Sequence, residues 1–121
     1  MTQEGQYYRS VLDNLGGGFL GVDETGRVAY GNATAGRILH IPAPVMMGKP
    51  YSQALEPYPA LCAVIKDALD SGRVVRRAEV SIMHGDARMT IGYSTLRVRG
   101  PGGENWGVGV IFQDLTLALA G

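Results

Sequence analysis

The spacing of hydrophobic residues changes near residue 72, and this change limits the folds that the chain can adopt. Before it, five apolar residues recur with the 3.6-residue period of one helix face: Leu61, Val64, Ile65, Ala68 and Leu69. After it, apolar residues alternate with polar ones, as in half-buried strands, at Ala78, Val80 and Ile82, at Met89, Ile91 and Tyr93, and at Val108, Val110 and Phe112. The pattern predicts a long helix followed by three strands of a sheet with one covered face.

The first half of the chain contains the signals of a β-hairpin followed by a capped helix. Short apolar runs at Phe19–Val22 and Arg27–Tyr30 flank a turn that ends in Gly26, which readily adopts a positive φ. Asn32 follows, and asparagine is a preferred N-cap because its side chain accepts a hydrogen bond from a free helical N–H. Pro42 ends the helix that Asn32 begins. The complete order predicts an α+β fold: one five-stranded antiparallel sheet with helices packed on one face.

An amphipathic stripe precedes the hairpin. Its apolar residues have the spacing of one helix face: Tyr8, Val11, Leu12 and Leu15. The run of glycines at 16–18 ends this predicted helix, because glycine is a poor helix former. A helix this short is marginal on its own, so we expect it to pack on the domain or on a second copy of the chain, as a homodimer interface.

Charge and cysteine content limit the partners and the compartment. Eleven Lys and Arg residues balance eleven Asp and Glu residues, so no basic field attracts nucleic acid or an anionic membrane. No apolar run approaches the roughly 20 residues that cross a bilayer, and no signal peptide is visible. Cys62 is the only cysteine and forms no internal disulfide, as is usual in a reducing compartment. We therefore expect a cytoplasmic protein with no nucleic-acid partner and no direct membrane contact.

The sequence contains no arrangement typical of a catalytic or metal site. Asp23 and Glu24 are adjacent at a turn tip, where water solvates both, whereas acid–base pairs need a sheltered site. His40 and His84 lie outside the predicted long helix, at positions typical of solvent-facing or capping residues. No group of His, Cys, Asp and Glu has metal-ligand spacing. We therefore expect a non-catalytic domain that binds no metal.

Four segments resemble, in order and spacing, motifs of the PAS (Per-Arnt-Sim) family, in particular the PAS domains of bacterial sensor kinases. They are Val11–Leu15 with Gly17 and Gly18, Val22–Val28 with Tyr30 and Asn32, Asp67–Gly72, and Ile111–Thr116. The resemblance implies a helical extension over residues 1–17, a PAS domain over 18–116 and the start of an output linker over 117–121. It also implies that the first and last strands lie side by side at the centre of the sheet.

The last segment resembles the closing Asp-x-Thr motif of the family. In PAS domains this aspartate often pairs with a basic residue of the first hairpin, and the threonine begins the output linker. The resemblance therefore implies a signal relay through Arg27, Asp114 and Thr116. The alternative is an ordinary surface ion pair between Arg27 and Asp114, which contributes under about 1 kcal/mol.

The resemblance places a ligand pocket between the sheet and the helices. Its expected lining is apolar: Leu39, Leu61, Ile65, Val80, Ile82, Ile91, Tyr93 and Val110. The same residues would equally fill a plain core, so the sequence leaves open whether a small apolar ligand binds. A charged ligand would need Arg or several donors inside the pocket.

No motif supports a cofactor, although flavin and haem both occur in this family. Cys62 lacks the Gly-x-Asn-Cys-Arg-Phe-Leu-Gln motif of the light-sensing flavin branch, and the predicted long helix has no histidine to ligate haem. We expect a regulatory sensor and dimerisation domain of a two-component sensor histidine kinase, relaying a ligand or conformational signal to a C-terminal output domain. A redox or gas sensor that binds flavin or haem is the alternative.

Overall fold

The computed structural model describes residues 17–116, which form one antiparallel sheet with helices on one face. The strands are β1 (Gly18–Val22), β2 (Val28–Gly31), β3 (Ala78–His84), β4 (Ala87–Arg99) and β5 (Asn105–Asp114). The helices are α1 (Ala33–Leu39), α2 (Ala43–Met46), α3 (Tyr51–Ala54) and α4 (Pro59–Ser71). The predicted α+β architecture is confirmed. The helix predicted to carry Tyr8, Val11, Leu12 and Leu15, and the linker predicted at 117–121, lie outside the described residues.

The strands lie in the order β2-β1-β5-β4-β3, so the first and last strands are neighbours at the centre of the sheet. β1 and β5 run antiparallel, from Gly18 opposite Phe112 to Val22 opposite Val108. The end of β1 therefore lies beside the early part of β5, and the start of β1 lies near the end of β5. This register determines which segments meet at each end of the sheet.

Asp23 stabilises the turn between β1 and β2. Its Oδ1 accepts hydrogen bonds from the Thr25 hydroxyl (2.6 Å), from the N–H of Thr25 (2.9 Å) and from the N–H of Arg27 (3.0 Å). The bond from the Thr25 hydroxyl, supported by the two amide bonds, holds the pKa of Asp23 below its usual value. Gly26 completes the turn at a φ of 89°, in agreement with the prediction of a positive φ.

Asn32 caps α1, as predicted, and also joins it to the sheet. Its Oδ1 accepts a hydrogen bond from the N–H of Ala35 (2.8 Å) and another from the N–H of Phe19 (3.0 Å). Its Nδ2 donates to the carbonyl oxygen of Gly17 (3.1 Å). Because Asn32 is only 2% exposed, these bonds are shielded from water and hold the start of α1 against the start of β1.

The hydrophobic core lies between the helices and the inner face of the sheet. α4 contributes Leu61, Ile65 and Ala68, three members of the predicted stripe, all buried. Gly72 ends α4 in the left-handed conformation at a φ of 69°, the conformation that glycine adopts without strain. Phe112 on β5 packs into the same core. The change of hydrophobic period near residue 72 therefore marks the passage from the helical layer to the sheet.

The outer face of the sheet carries a second set of apolar residues. Phe19 and Ile111 are register partners on the central strands, and both are only half-buried. The Phe19 ring lies against Gly109, where an added Cβ would be 2.9 Å from the ring. The side chains that α1–α4 bury belong to the core on the other face, so none of these four helices covers this face. Within the same residues, no helix has the length and apolar character that crossing a bilayer requires.

Candidate functional site

The eight residues predicted to line a pocket do come together between the sheet and the helices α1 and α4. Six of them are at most 3% exposed: Leu39, Leu61, Ile65, Ile82, Ile91 and Val110. Val80 and Tyr93 are partly buried and pack against those six. In this arrangement all eight side chains contribute to the core, and the binding of a ligand among them stays a prediction.

The polar groups of the interior are paired, which bears on the cofactor alternative. Within residues 17–116, every buried side-chain nitrogen and oxygen has a hydrogen-bond partner. Haem needs an axial ligand facing the pocket, and flavin needs convergent donors and acceptors. Both histidines are exposed, as expected from the sequence, and no cluster of three His, Cys, Asp or Glu side chains in this part of the chain could hold a metal ion. Whether the domain holds flavin or haem stays a prediction from the sequence.

Cys62 lies on α4 with its sulfur turned toward the protein. The Sγ atom is 3.4 Å from the carbonyl oxygen of Leu55 and 3.9 Å from that of Tyr51. Burial raises the pKa of the Cys62 thiol, so the protonated and weakly nucleophilic form is favoured. This environment suits a small packing residue better than a reactive thiol.

The predicted pairing of Arg27 with Asp114 is wrong, because the two residues lie at opposite ends of the sheet. Arg27 follows the end of β1, where Val22 is paired with Val108, and Asp114 lies six residues farther along β5, about 20 Å away. The Arg27 guanidinium instead donates to the carbonyl oxygen of Gly48 (2.8 Å). Arg27 therefore ties the first hairpin to the segment after α2.

Asp114 and Thr116 form a local structure at the end of β5 that the sequence did not predict. The Asp114 carboxylate accepts a hydrogen bond from the N–H of Thr116 (2.9 Å). The Thr116 hydroxyl accepts from the N–H of Thr90 (3.0 Å), and the N–H of Leu115 donates to the carbonyl oxygen of Thr90 (2.8 Å). We call this arrangement the exit anchor: Asp114, Leu115 and Thr116 attached to Thr90 on β4. No feature of the sequence near Thr90 indicates this role, since the contact joins residues 26 positions apart.

The side chain of Leu115 packs over the outer face of the sheet. A Cβ added at Gly92 would be 2.7 Å from Cδ1 of Leu115, so the glycine lets this side chain lie directly on β4 where the exit anchor crosses. Beside this point, a groove of about 390 Å³ opens between β3, β4 and β5, lined by Arg77, Ala78, Glu79, Gly92, Tyr93, Ser94, Ile111, Phe112, Gln113 and Leu115. The chain also enters the domain here, because Gly17 lies against Phe112 and Gln113. The two ends of the described chain and the groove therefore share one end of the sheet.

These features define an α+β domain in which the paired first and last strands bring residues 17 and 116, the two ends of the described chain, to the same end of the sheet. The family model described as the PAS fold matches residues 6–115, and the chain belongs to the PAS family. PAS domains are, in general, non-catalytic sensory domains of signalling proteins. No curated protein matches the sequence.

Solved structures with the same fold come from several signalling proteins. The PAS domain of Bordetella pertussis BvgS matches with a TM-score of 0.73 at 19% identity, over 98% of this chain and 93% of that one. A PAS domain from Colwellia psychrerythraea matches with a TM-score of 0.68 at 16% identity, over 95% and 99%. The Vibrio cholerae VqmA dimer, a LuxR-type receptor, matches with a TM-score of 0.73 at 20% identity over 98% of this chain and 53% of VqmA. This chain thus spans about half of VqmA, and identities this low show the shared fold alone.

Proposed function

We propose that this PAS domain relays a signal to the segment that follows Thr116, as a regulatory domain of a two-component sensor histidine kinase. The observation that carries the proposal is the exit anchor, which attaches the end of the domain to Thr90 on β4. The histidine kinase itself is inferred from the motif resemblance to bacterial sensor kinases. Arg27 has no place in this relay, because its side chain bonds at the far end of the sheet.

The path from the core to the exit is short. Ile91 follows Thr90 directly and is buried, at 1% exposure, in the core between the sheet and the helices. A displacement of β4 against that core therefore moves Thr90 and, through two hydrogen bonds, Leu115 and Thr116. A change in core packing, whether caused by a small apolar ligand or by a partner, shifts the balance between two arrangements of the exit anchor.

Replacing the Thr116 hydroxyl tests this relay in the full-length parent protein. Thr116→Val keeps the shape of the side chain but leaves the N–H of Thr90 without its acceptor. Loss of one such bond, about 1 kcal/mol, changes a two-state balance roughly five-fold, so kinase autophosphorylation is expected to change by a similar factor. Thr25→Val is the matched control, because the Thr25 hydroxyl bonds at the hairpin turn. Equal autophosphorylation of the wild type and Thr116→Val would refute the relay.

The outer face of the sheet is the surface that we propose for the homodimer. Its half-buried apolar residues, Phe19 and Ile111, lie next to the groove and to the point where the chain enters at Gly17. The stripe of Tyr8, Val11, Leu12 and Leu15 ends two residues before Gly17, so it can reach this face. A helix over residues 8–15 is about 12 Å long, enough to cross three strands spaced about 4.8 Å apart. Two copies would bury their stripes and outer faces together.

Sedimentation of the chain at micromolar concentration tests the dimer. Ile111→Asp places a carboxylate on the outer face and is expected to give a folded monomer. Val45→Asp is the matched control, because Val45 is 49% exposed on α2, in the helical layer, and this variant is expected to remain a dimer. A wild-type chain that stays monomeric at high micromolar concentration rules out the dimer. Equal dissociation of both variants points to a different surface.

We further propose that the domain works without flavin or haem and in the cytoplasm. The paired polar groups of the interior and the exposed histidines support the first proposal, and a single cysteine with no disulfide partner supports the second. A visible-range absorption spectrum combined with native mass spectrometry of the purified chain is expected to give a colourless protein of apo mass. A flavin or haem band with a matching bound mass contradicts the proposal and identifies a cofactor sensor.

A further inference from the structure

Two histidines stack on each other where the helical layer meets the β3–β4 hairpin. The ring centroids of His40 and His84 are 4.0 Å apart, and their planes differ by 17°. His40 is the C-terminal cap of α1, and His84 is the last residue of β3. They are the two histidines of the whole chain. Their contact therefore joins two elements that are far apart in the sequence.

Tyr58 holds one of the two rings in place. Its hydroxyl donates to the carbonyl oxygen of Leu39 and lies 3.1 Å from Nδ1 of His84. A phenol has a single proton, so the hydroxyl accepts from His84, and Nδ1 must carry a hydrogen. Since Tyr58 itself is only 1% exposed, this bond orients the His84 ring.

Few other charges act on the two rings. The charged residues of the elements that meet here are Arg37 on α1, Glu56 between α3 and α4, Glu79 on β3, Asp86 in the hairpin turn, and Arg88, Arg97 and Arg99 on β4. α4 has no charged residue before Lys66. The Arg37 guanidinium donates to the Thr34 hydroxyl (2.8 Å). None of the ion pairs within residues 17–116 includes an imidazole, so no carboxylate in this part of the chain pairs with a charge on either ring.

We propose that His40 and His84 form an acid-sensitive clasp between the helical layer and the β3–β4 hairpin. Two neutral rings stack, and one protonated ring stacks on a neutral one, but two imidazolium rings 4.0 Å apart repel each other. Histidine is the side chain that ordinarily changes its charge between pH 5 and 8. An open arrangement, in which the two rings are apart, binds more protons than the stacked one. Acidification therefore shifts the population toward the open arrangement. The two rings then separate, and the contact between the end of α1 and the β3–β4 hairpin is lost.

The same pair of rings does not suit a metal ion. The lone pairs of imidazole nitrogens lie in the ring planes, and here those planes are nearly parallel. Two such lone pairs point side by side and do not converge on one ion at coordination distance. Protonation is therefore the chemistry that fits this geometry.

The clasp acts on the strand that holds the exit anchor. Ala87, the register partner of His84, begins β4, and Thr90 lies three residues farther on, about 10 Å along the strand. Release of the hairpin from α1 therefore loosens the strand to which Thr116 is attached. This last step depends on the proposed relay, whereas the clasp itself depends only on the stacked rings.

Hydrogen exchange of the complete 121-residue chain at pH 7.5 and pH 5.0 tests the clasp. Protection factors are corrected for the intrinsic pH dependence of exchange. His40→Asn and His84→Gln each remove one ring, and asparagine tolerates the left-handed backbone of residue 40 (φ 59°). In the wild type, protection of the hairpin amides is expected to be on the order of five-fold lower at pH 5.0 than at pH 7.5. This factor follows from the repulsion between two charges about 4 Å apart in water. In either variant the protection of the hairpin amides is expected to be the same at both pH values, because the repulsion needs both rings.

A second measurement follows the two rings directly. Nuclear Overhauser contacts between them are expected at pH 7.5 and lost at pH 5.0. Ring contacts that persist at pH 5.0, or a pH-dependent protection that survives in either single variant, overturn the clasp. The amide of Leu115 separates the clasp from the relay. If ring contacts are lost in acid while protection of Leu115 is unchanged, the clasp stands and its transmission to Thr116 fails.

Discussion

Removing the Asn32 side chain is expected to destabilise the domain by about 3 kcal/mol. Asn32→Ala leaves three backbone groups without partners: the N–H groups of Phe19 and Ala35 and the carbonyl of Gly17. Loss of an N-cap costs about 1 kcal/mol, and each of the two further unpaired groups costs at least about 1 kcal/mol. For a domain of this size the sum corresponds to a decrease in Tm of roughly 12 °C.

Urea denaturation followed by far-ultraviolet circular dichroism measures this loss. Asn105→Ala is the matched control, because Asn105 is exposed and accepts one local bond, from the N–H of Gly107 (3.0 Å). The control is expected to lose under about 1 kcal/mol. If Asn32→Ala loses no more than the control, with an unchanged dependence on urea concentration, the reasoning that Asn32 joins α1 to β1 is wrong.

Three further changes have expected outcomes. Gly107→Ala should lower the free energy of unfolding by more than about 3 kcal/mol, because residue 107 has a φ of 117° and the new Cβ would overlap the carbonyl oxygen of Val22; a urea midpoint close to that of the wild type contradicts this. Alkylation of Cys62 by iodoacetamide at pH 8 should be at least about ten-fold slower in the folded chain than in urea, because burial raises its pKa; equal rates would show an accessible thiolate. The Thr25 hydroxyl keeps the pKa of Asp23 below its usual value of 3.8. The Asp23 carboxylate therefore stabilises the fold above pH 3.8, and this stabilisation is lost as the pH falls through the pKa of the folded state. When the pH falls from 5 to 3, the free energy of unfolding of Asp23→Asn should therefore decrease less than that of the wild type. An equal decrease in the two urea midpoints would contradict the stabilising role of the Asp23 carboxylate.

The elements that the sequence predicted correctly depend on local rules. The N-cap at Asn32, the positive φ of Gly26 and the end of α4 at Gly72 each follow from one residue's own backbone preference. The other two bonds of Asn32, to Phe19 and Gly17, could not be predicted in this way. They exist only because packing brings β1 against the start of α1.

The errors and omissions concern contacts between distant segments. The resemblance placed β1 beside β5 correctly, but the pairing of Arg27 with Asp114 also required the correct ends of those strands to meet. Antiparallel register brings the end of β1 to the early part of β5, so the pairing was excluded once the direction was known. Thr90, the partner of Thr116, and Tyr58, the partner of His84, each lie 26 residues from the group they contact. Their own surroundings in the sequence carry no sign of those contacts.

The position of β5 explains how one small sheet can couple the two ends of the described chain. β5 lies between β1 and β4, and its two neighbours hold different segments. Gly17, where the chain enters, lies against β5 on the β1 side, and Thr116, where it leaves, is bonded to Thr90 on the β4 side. A change in twist across these three strands alters the separation of the entering and leaving segments, even if the core stays intact. In the proposed relay, a signal at the helical layer that moves β4 alone would therefore be sufficient to reposition the outgoing chain relative to the incoming one.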